Sequence, residues 1–175
     1  MSVDFKRRAF FMTGQTKKVN LDIHLPYLKG TEDFLEKCTQ CAKCIEHCPE
    51  SIIIKGDGGY PTVDFKLGEC TYCQKCAEHC PEPLFDLEQE QAWDLKLNIS
   101  GQCFPERNIV CQTCRDECEP QAIKFNFRQT AIPKPEFDEY LCTQCGACVS
   151  SCPANAISIL PAQAINDLKS EMSDE

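Results

Sequence analysis

The sequence has no long hydrophobic run. Its longest uninterrupted apolar stretch is Ala9-Phe10-Phe11-Met12, against the roughly 18 residues a membrane-spanning helix needs, so no membrane span is expected. Basic charge is also scarce. Eighteen Lys and Arg stand against 27 Asp and Glu, for a formal net charge of −9, which excludes nucleic acid as a general partner because phosphate neutralisation needs clustered cations. Apolar side chains are few as well: the hydrophobic share of 42% includes 16 cysteines, and without them it falls to about a third, below the usual share for a domain held by its core alone. There is no C-x3-C-x2-C run of a radical S-adenosylmethionine site and no Gly-rich nucleotide fingerprint. A catalytic apparatus is therefore not expected, and the chain reads as a carrier or accessory protein instead of an enzyme.

What is abundant is cysteine, and it is ordered. From Thr31 onward one unit recurs four times: CTQCAKCIEHCP (Cys38, Cys41, Cys44, Cys48), CTYCQKCAEHCP (Cys70, Cys73, Cys76, Cys80), Cys103 with CQTCRDECEP (Cys111, Cys114, Cys118), and CTQCGACVSSCP (Cys142, Cys145, Cys148, Cys152). An apolar pair follows each final cysteine: Ile52-Ile53, Leu84-Phe85, Ala122-Ile123 and Ala156-Ile157. Each unit thus carries a small packing element of its own. The spacers between units are 21, 22 and 23 residues long. Lys55-Gly56-Asp57-Gly58-Gly59-Tyr60 between Ile52-Ile53-Ile54 and Val63-Asp64-Phe65 is hairpin chemistry, and Ala122 to Phe127 followed by Phe137 gives a second such pair. The cysteine runs themselves read as loops entering one or two helical turns, closed by Pro49, Pro81 and Pro153.

Three chemistries compete for the thiols. A disulfide framework spreads cysteines over loops in a secreted context, whereas these are bunched three apart with no cleavable signal. Zinc ribbons use two CxxC pairs across a long loop, a poor fit to four thiols within 11 residues. The run C-x2-C-x2-C-x3-C-P supplies three thiolates to one 4Fe-4S cubane and a fourth to its neighbour, and three of the four groups match it residue for residue. Sixteen thiols divided by four give four [4Fe-4S] clusters with none left over. Clusters of net charge near −2 would make the loaded protein more acidic by roughly 8 units, and a partner would present a positive face.

In the two-cluster ferredoxin arrangement the fourth cysteine of each motif crosses to the other cluster. With hairpins between groups one and two and between groups three and four, the expected sets are Cys38, Cys41, Cys44 and Cys80; Cys70, Cys73, Cys76 and Cys48; Cys103, Cys111, Cys114 and Cys152; and Cys142, Cys145, Cys148 and Cys118. A nested arrangement, with group one beside group four, is the alternative. The third group departs from the run, because seven residues separate Cys103 from Cys111 and Glu119-Pro120 follows Cys118. The departure reads as a docking loop, as a cluster with a shifted potential, or as a tolerated loop insertion. His47 and His79 each precede a final cysteine and read as surface residues, since the thiol complement is already full. Trp93 reads as an anchor packing one half on the other, and His24 carries no signal.

Residues 38 to 160 resemble two fused bacterial-type ferredoxin domains. Arg7-Arg8, Gly58-Gly59-Tyr60-Pro61, Ala92-Trp93-Asp94-Leu95 and Cys118-Glu119-Pro120, in that order within the 16-cysteine frame, further resemble the NapF family, the ferredoxin-type accessory proteins of periplasmic nitrate reductase systems. The resemblance implies an α+β fold of two tandem bacterial ferredoxin-like domains, over 31–92 and 93–160. Residues 1–30, basic at the start and without cysteine or a regular period, read as an arm that is ordered on binding or loosely docked. The tail over 161–175 opens with a weak helical pattern at Ala164, Ile165 and Leu168. It implies a cytoplasmic protein that meets the nitrate reductase catalytic subunit, in its cytoplasmic precursor form, before export. The role implied is maturation of that subunit or electron donation to it, with an electron-transfer subunit of another oxidoreductase as the alternative. Lys6-Arg7-Arg8-Ala9-Phe10-Phe11 looks like the start of a twin-arginine signal, but Thr13-Gly14-Gln15-Thr16-Lys17-Lys18 follows where the apolar segment should be.

Overall fold

The computed structural model describes residues 22–128 and 130–162. The arm's Arg7 and Arg8, and the helical pattern expected after Pro161, lie outside the described residues apart from Ala162.

Three two-stranded antiparallel sheets and a set of short helices make up the fold. Strand β1 (Ile53–Lys55) pairs with β2 (Pro61–Val63) in the register Ile53 to Val63 and Lys55 to Pro61. The turn between them needs glycine, since Gly58 and Gly59 sit at φ 64° and 86°. Strand β4 (Ile123–Phe125) pairs with β5 (Pro135–Phe137), Ile123 facing Phe137. Both hairpins stand where the turn and alternation signals predict them. The third sheet was not predicted: β3 (Leu95–Ile99) runs antiparallel to β6 (Ile157–Pro161) through five residue pairs. Leu95, Leu97 and Ile99 alternate with Lys96 and Asn98, the period of a half-buried strand, and this signal lay in a spacer read only for its tryptophan.

Helix α1 (Thr31–Lys37) precedes the first cysteine. Among the described residues four further α-helices are single turns, α2 (Lys43–Glu46), α3 (Lys75–Glu78), α4 (Thr113–Asp116) and α5 (Ala147–Ser150), each carrying the third cysteine of its run. Helix α2 packs on α3, and α4 on α5. Among the described residues no helix is long and apolar enough to cross a membrane.

The apolar pairs following each final cysteine supply much of the core. Ile52, Ile53, Leu84, Ala122, Ile123, Ala156 and Ile157 are all buried. One continuous cluster joins Ile53, Val63 and Phe65 of the first half to Trp93, Ile123, Val149, Ile157 and Ile159 of the second, and takes in Cys76, Cys114 and Cys148. Of the arm expected to be loosely docked over 1–30, residues 22–30 are firmly packed. The Val63 N–H donates to the Ile23 carbonyl at 2.8 Å, Tyr27 N–H to Ala92 O at 2.8 Å, and Lys29 N–H to Leu84 O at 3.0 Å, while Leu25 is buried. The segment's own Ile23, Leu25 and Leu28, apolar residues on either side of the Pro26-Tyr27 corner, account for that docking.

Candidate metal centres

Three of the four cysteine loops curl the same way. Gln40 and Ala42, Tyr72 and Gln74, and Gln144 and Gly146 occupy the left-handed region, two residues in every tight loop. A non-glycine residue there costs about 1–2 kcal/mol, a strain that persists where the surroundings fix the loop. The curl turns backbone N–H groups toward sulfur: Tyr72 N–H points at Cys70 Sγ (3.4 Å) and Gln144 N–H at Cys142 Sγ (3.3 Å). The turns after the final cysteines do the same, Ala122 N–H to Cys118 Sγ and Ala156 N–H to Cys152 Sγ, both 3.3 Å. Such bonds stabilise the thiolate and tune what it binds. The third loop is built differently. Gln112, at the place of Ala42, Gln74 and Gly146, has φ −139°, and the chain turns instead at Asn108, φ 59°.

In the first half the thiols gather in two groups of four. Cys38, Cys41, Cys44 and Cys80 line one small pocket together with Leu25, Phe34 and Phe85. Cys48, Cys70, Cys73 and Cys76 line another with Ile53, Val63 and Tyr72. Each therefore takes three thiols from one loop and one from the other. In the second half, Cys114 has Cys103, Cys111 and Cys152 as its electrostatic neighbours, and Cys142 has Cys145 and Cys118. Cys148 lies among Cys145, Cys142, Cys118 and also Cys114. Among the described residues no three such groups close on a point that a single ion could occupy. Thiolates around one zinc stand less than about 4 Å apart, whereas these surround an apolar space, as a cubane with an all-sulfur donor set requires.

Burial dominates the acid–base state of Cys44, Cys70, Cys76, Cys114 and Cys148. It pushes Cys44 and Cys114 up to about 11, with neighbouring thiols adding to the shift. Cys70 is likewise raised to about 11, and Cys76 and Cys148 to about 12. Since the thiolate is the metal ligand, binding has to expel these protons.

His47 and His79 are not among the gathered groups. Their rings stack on each other at 3.7 Å between α2 and α3, and each Nδ1 lies 2.9 Å from the carbonyl of the lysine four residues earlier. Trp93 sits where an anchor should: its Nε1–H donates to His24 O at 2.8 Å and its ring meets Phe65 and Tyr72 edge-on at 5.5 and 6.0 Å. His24, which carried no sequence signal, serves through that carbonyl and through its ring against Phe34. Sequence reasoning also missed Phe65, Tyr72 and Gly146. Gly146, set where the two earlier loops carry Ala42 and Gln74, was the available clue.

A family model described as a 4Fe-4S dicluster domain matches residues 32–89, and one described as a 4Fe-4S binding domain matches residues 135–158. Together with the sulfur-lined cavities they define the class: an iron–sulfur protein of ferredoxin type. Among curated proteins, the chain is 40% identical over 158 residues to "Ferredoxin-type protein NapF" of Escherichia coli K12, which covers 90% of this chain and 96% of that one. It is 42% identical over 147 residues to "Ferredoxin-type protein NapF" of Haemophilus influenzae, 84% of this chain and 80% of the other. The chain belongs to the NapF family of ferredoxin-type proteins. It is also 34% identical over 128 residues to one component of the ion-translocating oxidoreductase complex of Methanosarcina acetivorans, 70% of this chain and 46% of that component.

Proposed function

We propose that two tandem ferredoxin-like domains, over 31–92 and 93–160, hold four [4Fe-4S] clusters in crossed sets. These are Cys38, Cys41, Cys44 and Cys80; Cys48, Cys70, Cys73 and Cys76; Cys103, Cys111, Cys114 and Cys152; and Cys118, Cys142, Cys145 and Cys148. A bound 4Fe-4S cluster supplies one-electron exchange without making or breaking a bond. The chain's own part is to hold the thiolates in place, shield them with Leu25, Phe34, Ile53 and Val63, and direct backbone N–H groups at sulfur. The carrying observation is the gathering of thiols four by four, three from one loop and one from the next.

The partner we assign is the periplasmic nitrate reductase catalytic subunit in its cytoplasmic precursor form, met by this protein in the cytoplasm for maturation or electron donation. NapF family membership over nearly the whole chain supports it, and the net charge of −9 suits a partner with a positive face. Copurification from cytoplasmic extract, with the exported mature subunit as control, tests it. We expect capture of the precursor, weakening as salt rises, and a reporter fused to residues 1–30 that stays inside the cell. Capture of the mature subunit alone, or export of the reporter dependent on Arg7 and Arg8, overturns the assignment. A second reading, an electron-transfer subunit of a multi-subunit oxidoreductase, is favoured by the likeness to the ion-translocating complex component. Stable copurification with a membrane-bound complex would select it.

A further inference from the structure

The two halves meet along a seam that belongs to neither hairpin. Loop two and loop four lie against each other there: the Cys70 N–H donates to the Cys145 carbonyl at 2.8 Å, and the Tyr72 hydroxyl donates to the Thr143 carbonyl. The Leu95 N–H, at the start of β3, donates to Gln144 Oε1 at 3.1 Å. Gly146 closes the contact. A Cβ at that residue would overlap the Phe65 ring, falling 2.5 Å from Cγ and closer still to Cδ1, and its φ of 89° already disfavours a side chain. The ring of Phe65 thus lies directly on the backbone of loop four. The Phe65, Cys70 and Tyr72 contacts join residues 65–72 of the first half to residues 143–146 of the second, while Leu95 steadies Gln144 from within the second half.

We propose that this seam sets the order in which electrons traverse the molecule. Phe65, Gly146 and the Cys70–Cys145 backbone bond are positioning residues that hold the second and fourth thiol groups side by side, so that the order is first, second, fourth, third. Chain order would place the third group beside the second. Cys70 opens loop two and Cys145 is the second cysteine of loop four, so the backbone bond between them joins the second and fourth groups directly. An electron crossing the seam leaves one centre oxidised by one and the other reduced by one; no bond changes and no proton moves. The first and third groups become the two ends. At the third-group end Ile109 and Val110 are exposed immediately before Cys111. This inference rests on the four-cluster electron-transfer reading above.

Magnetic resonance of the dithionite-reduced holoprotein tests it without any activity assay. A Cys41→Ser/Cys111→Ser variant is impaired in the outer groups and a Cys73→Ser/Cys142→Ser variant in the inner ones, with iron analysis showing what each retains. The first is expected to give a split, broadened signal from two interacting centres, and the second two unbroadened signals. Broadening in the second variant, or its absence in the first, overturns the order. If either double variant loses all its iron, a Gly146→Leu substitution in the otherwise unsubstituted protein decides. It should narrow the four-centre signal, and a Phe65→Ala change in the same chain should restore the broadening; a spectrum identical to the unsubstituted protein overturns the proposal. If the unsubstituted protein shows no reducible signal at all, the electron-transfer reading itself fails, which is a different result from signals that are present but uncoupled across the seam.

Discussion

In the first half, Cys38 follows helix α1 and enters a tight loop, and the chain before it meets the chain after Cys80 through scattered bonds, Lys29 N–H to Leu84 O and Tyr27 N–H to Ala92 O, around the isolated bridge of Leu28 to Phe85. In the second half, Cys103 follows strand β3, whose five residues pair along the whole of β6. The Ser100 N–H continues that ladder onto Ala156 O at 2.8 Å, and the Cys103 N–H returns to Ser100 O at 3.1 Å. Sheet structure thus places Cys103, and the seven residues that follow are released from the task of curling it toward Cys111. The first half has no such ladder and keeps both of its loops tight. The difference teaches that the loop length in a cysteine run is negotiable once another element fixes the first thiol.

The contact between the one-turn helices differs too. His47 and His79 stack in the first half, while the matching places before Cys118 and Cys152 hold Glu117 and Ser151. Ser151 Oγ is the one buried side-chain oxygen or nitrogen among the described residues with no hydrogen-bond partner. Exposure separates the halves as well: Cys41 and Cys73 are exposed, but no thiol of the second half is.

Crossed ligation predicts the largest effects, and predicts them equally for both halves. Cys48→Ser should cost about four irons per chain, taken from the site of Cys70, Cys73 and Cys76, and Cys118→Ser should cost about four from the site of Cys142, Cys145 and Cys148. Iron analysis with cluster spectroscopy checks both, and loss confined to the substituted loop's own site would break the symmetry. Next come the ladders. Ile159→Ala removes a buried partner of Leu97 and should cost about 2–5 kcal/mol, whereas Leu28→Ala, half-buried at a single bridge, should cost about 1–2 kcal/mol. Denaturant unfolding of the two variants tests the ranking.

Alkali should affect the halves together. Thiols raised to about 11 or 12 occur in both, at Cys44, Cys70 and Cys76 and at Cys114 and Cys148. A raised thiol binds its proton more tightly folded than unfolded. The metal-free chain therefore keeps this stability below the ordinary thiol value of 9.0 and loses it as pH rises through about 11 to about 12. A pH titration of circular dichroism should show one alkaline transition, given the shared core; two separated transitions would show that the halves melt independently. Alkylation of the metal-free protein at neutral pH should label Cys41 and Cys73 before any thiol of the second half, as peptide mapping would read. The smallest effect is expected at Ser151→Ala, which removes the unpartnered hydroxyl and should raise stability by about 1 kcal/mol.

Much of this was legible in the cysteine runs, because a thiol spacing of three, three and four leaves few geometries open. The hairpins were legible too, since Gly58-Gly59 and the alternation around Ile123 act locally. The ladder between β3 and β6 was harder to read: Leu95 and Pro161 are 66 positions apart by number, and no local signal names a strand's distant partner. Residues 22–30 were misjudged for the same reason. Their backbone groups find Val63, Leu84 and Ala92 only after the chain has folded back. The seam depends on a hydrogen standing in place of a Cβ, which a sequence shows merely as another glycine.

Trp93 is the chain's one tryptophan, and it lies beside Phe65 and Tyr72 where the halves join. Its indole excited state can pass energy to a nearby visible absorber, so fluorescence should be dark in the loaded protein and brighten as iron leaves. The same emission, red-shifting once water reaches the ring, would report separation of the halves. The molecule thus carries its own optical gauge of filling and of closure, readable without an added label.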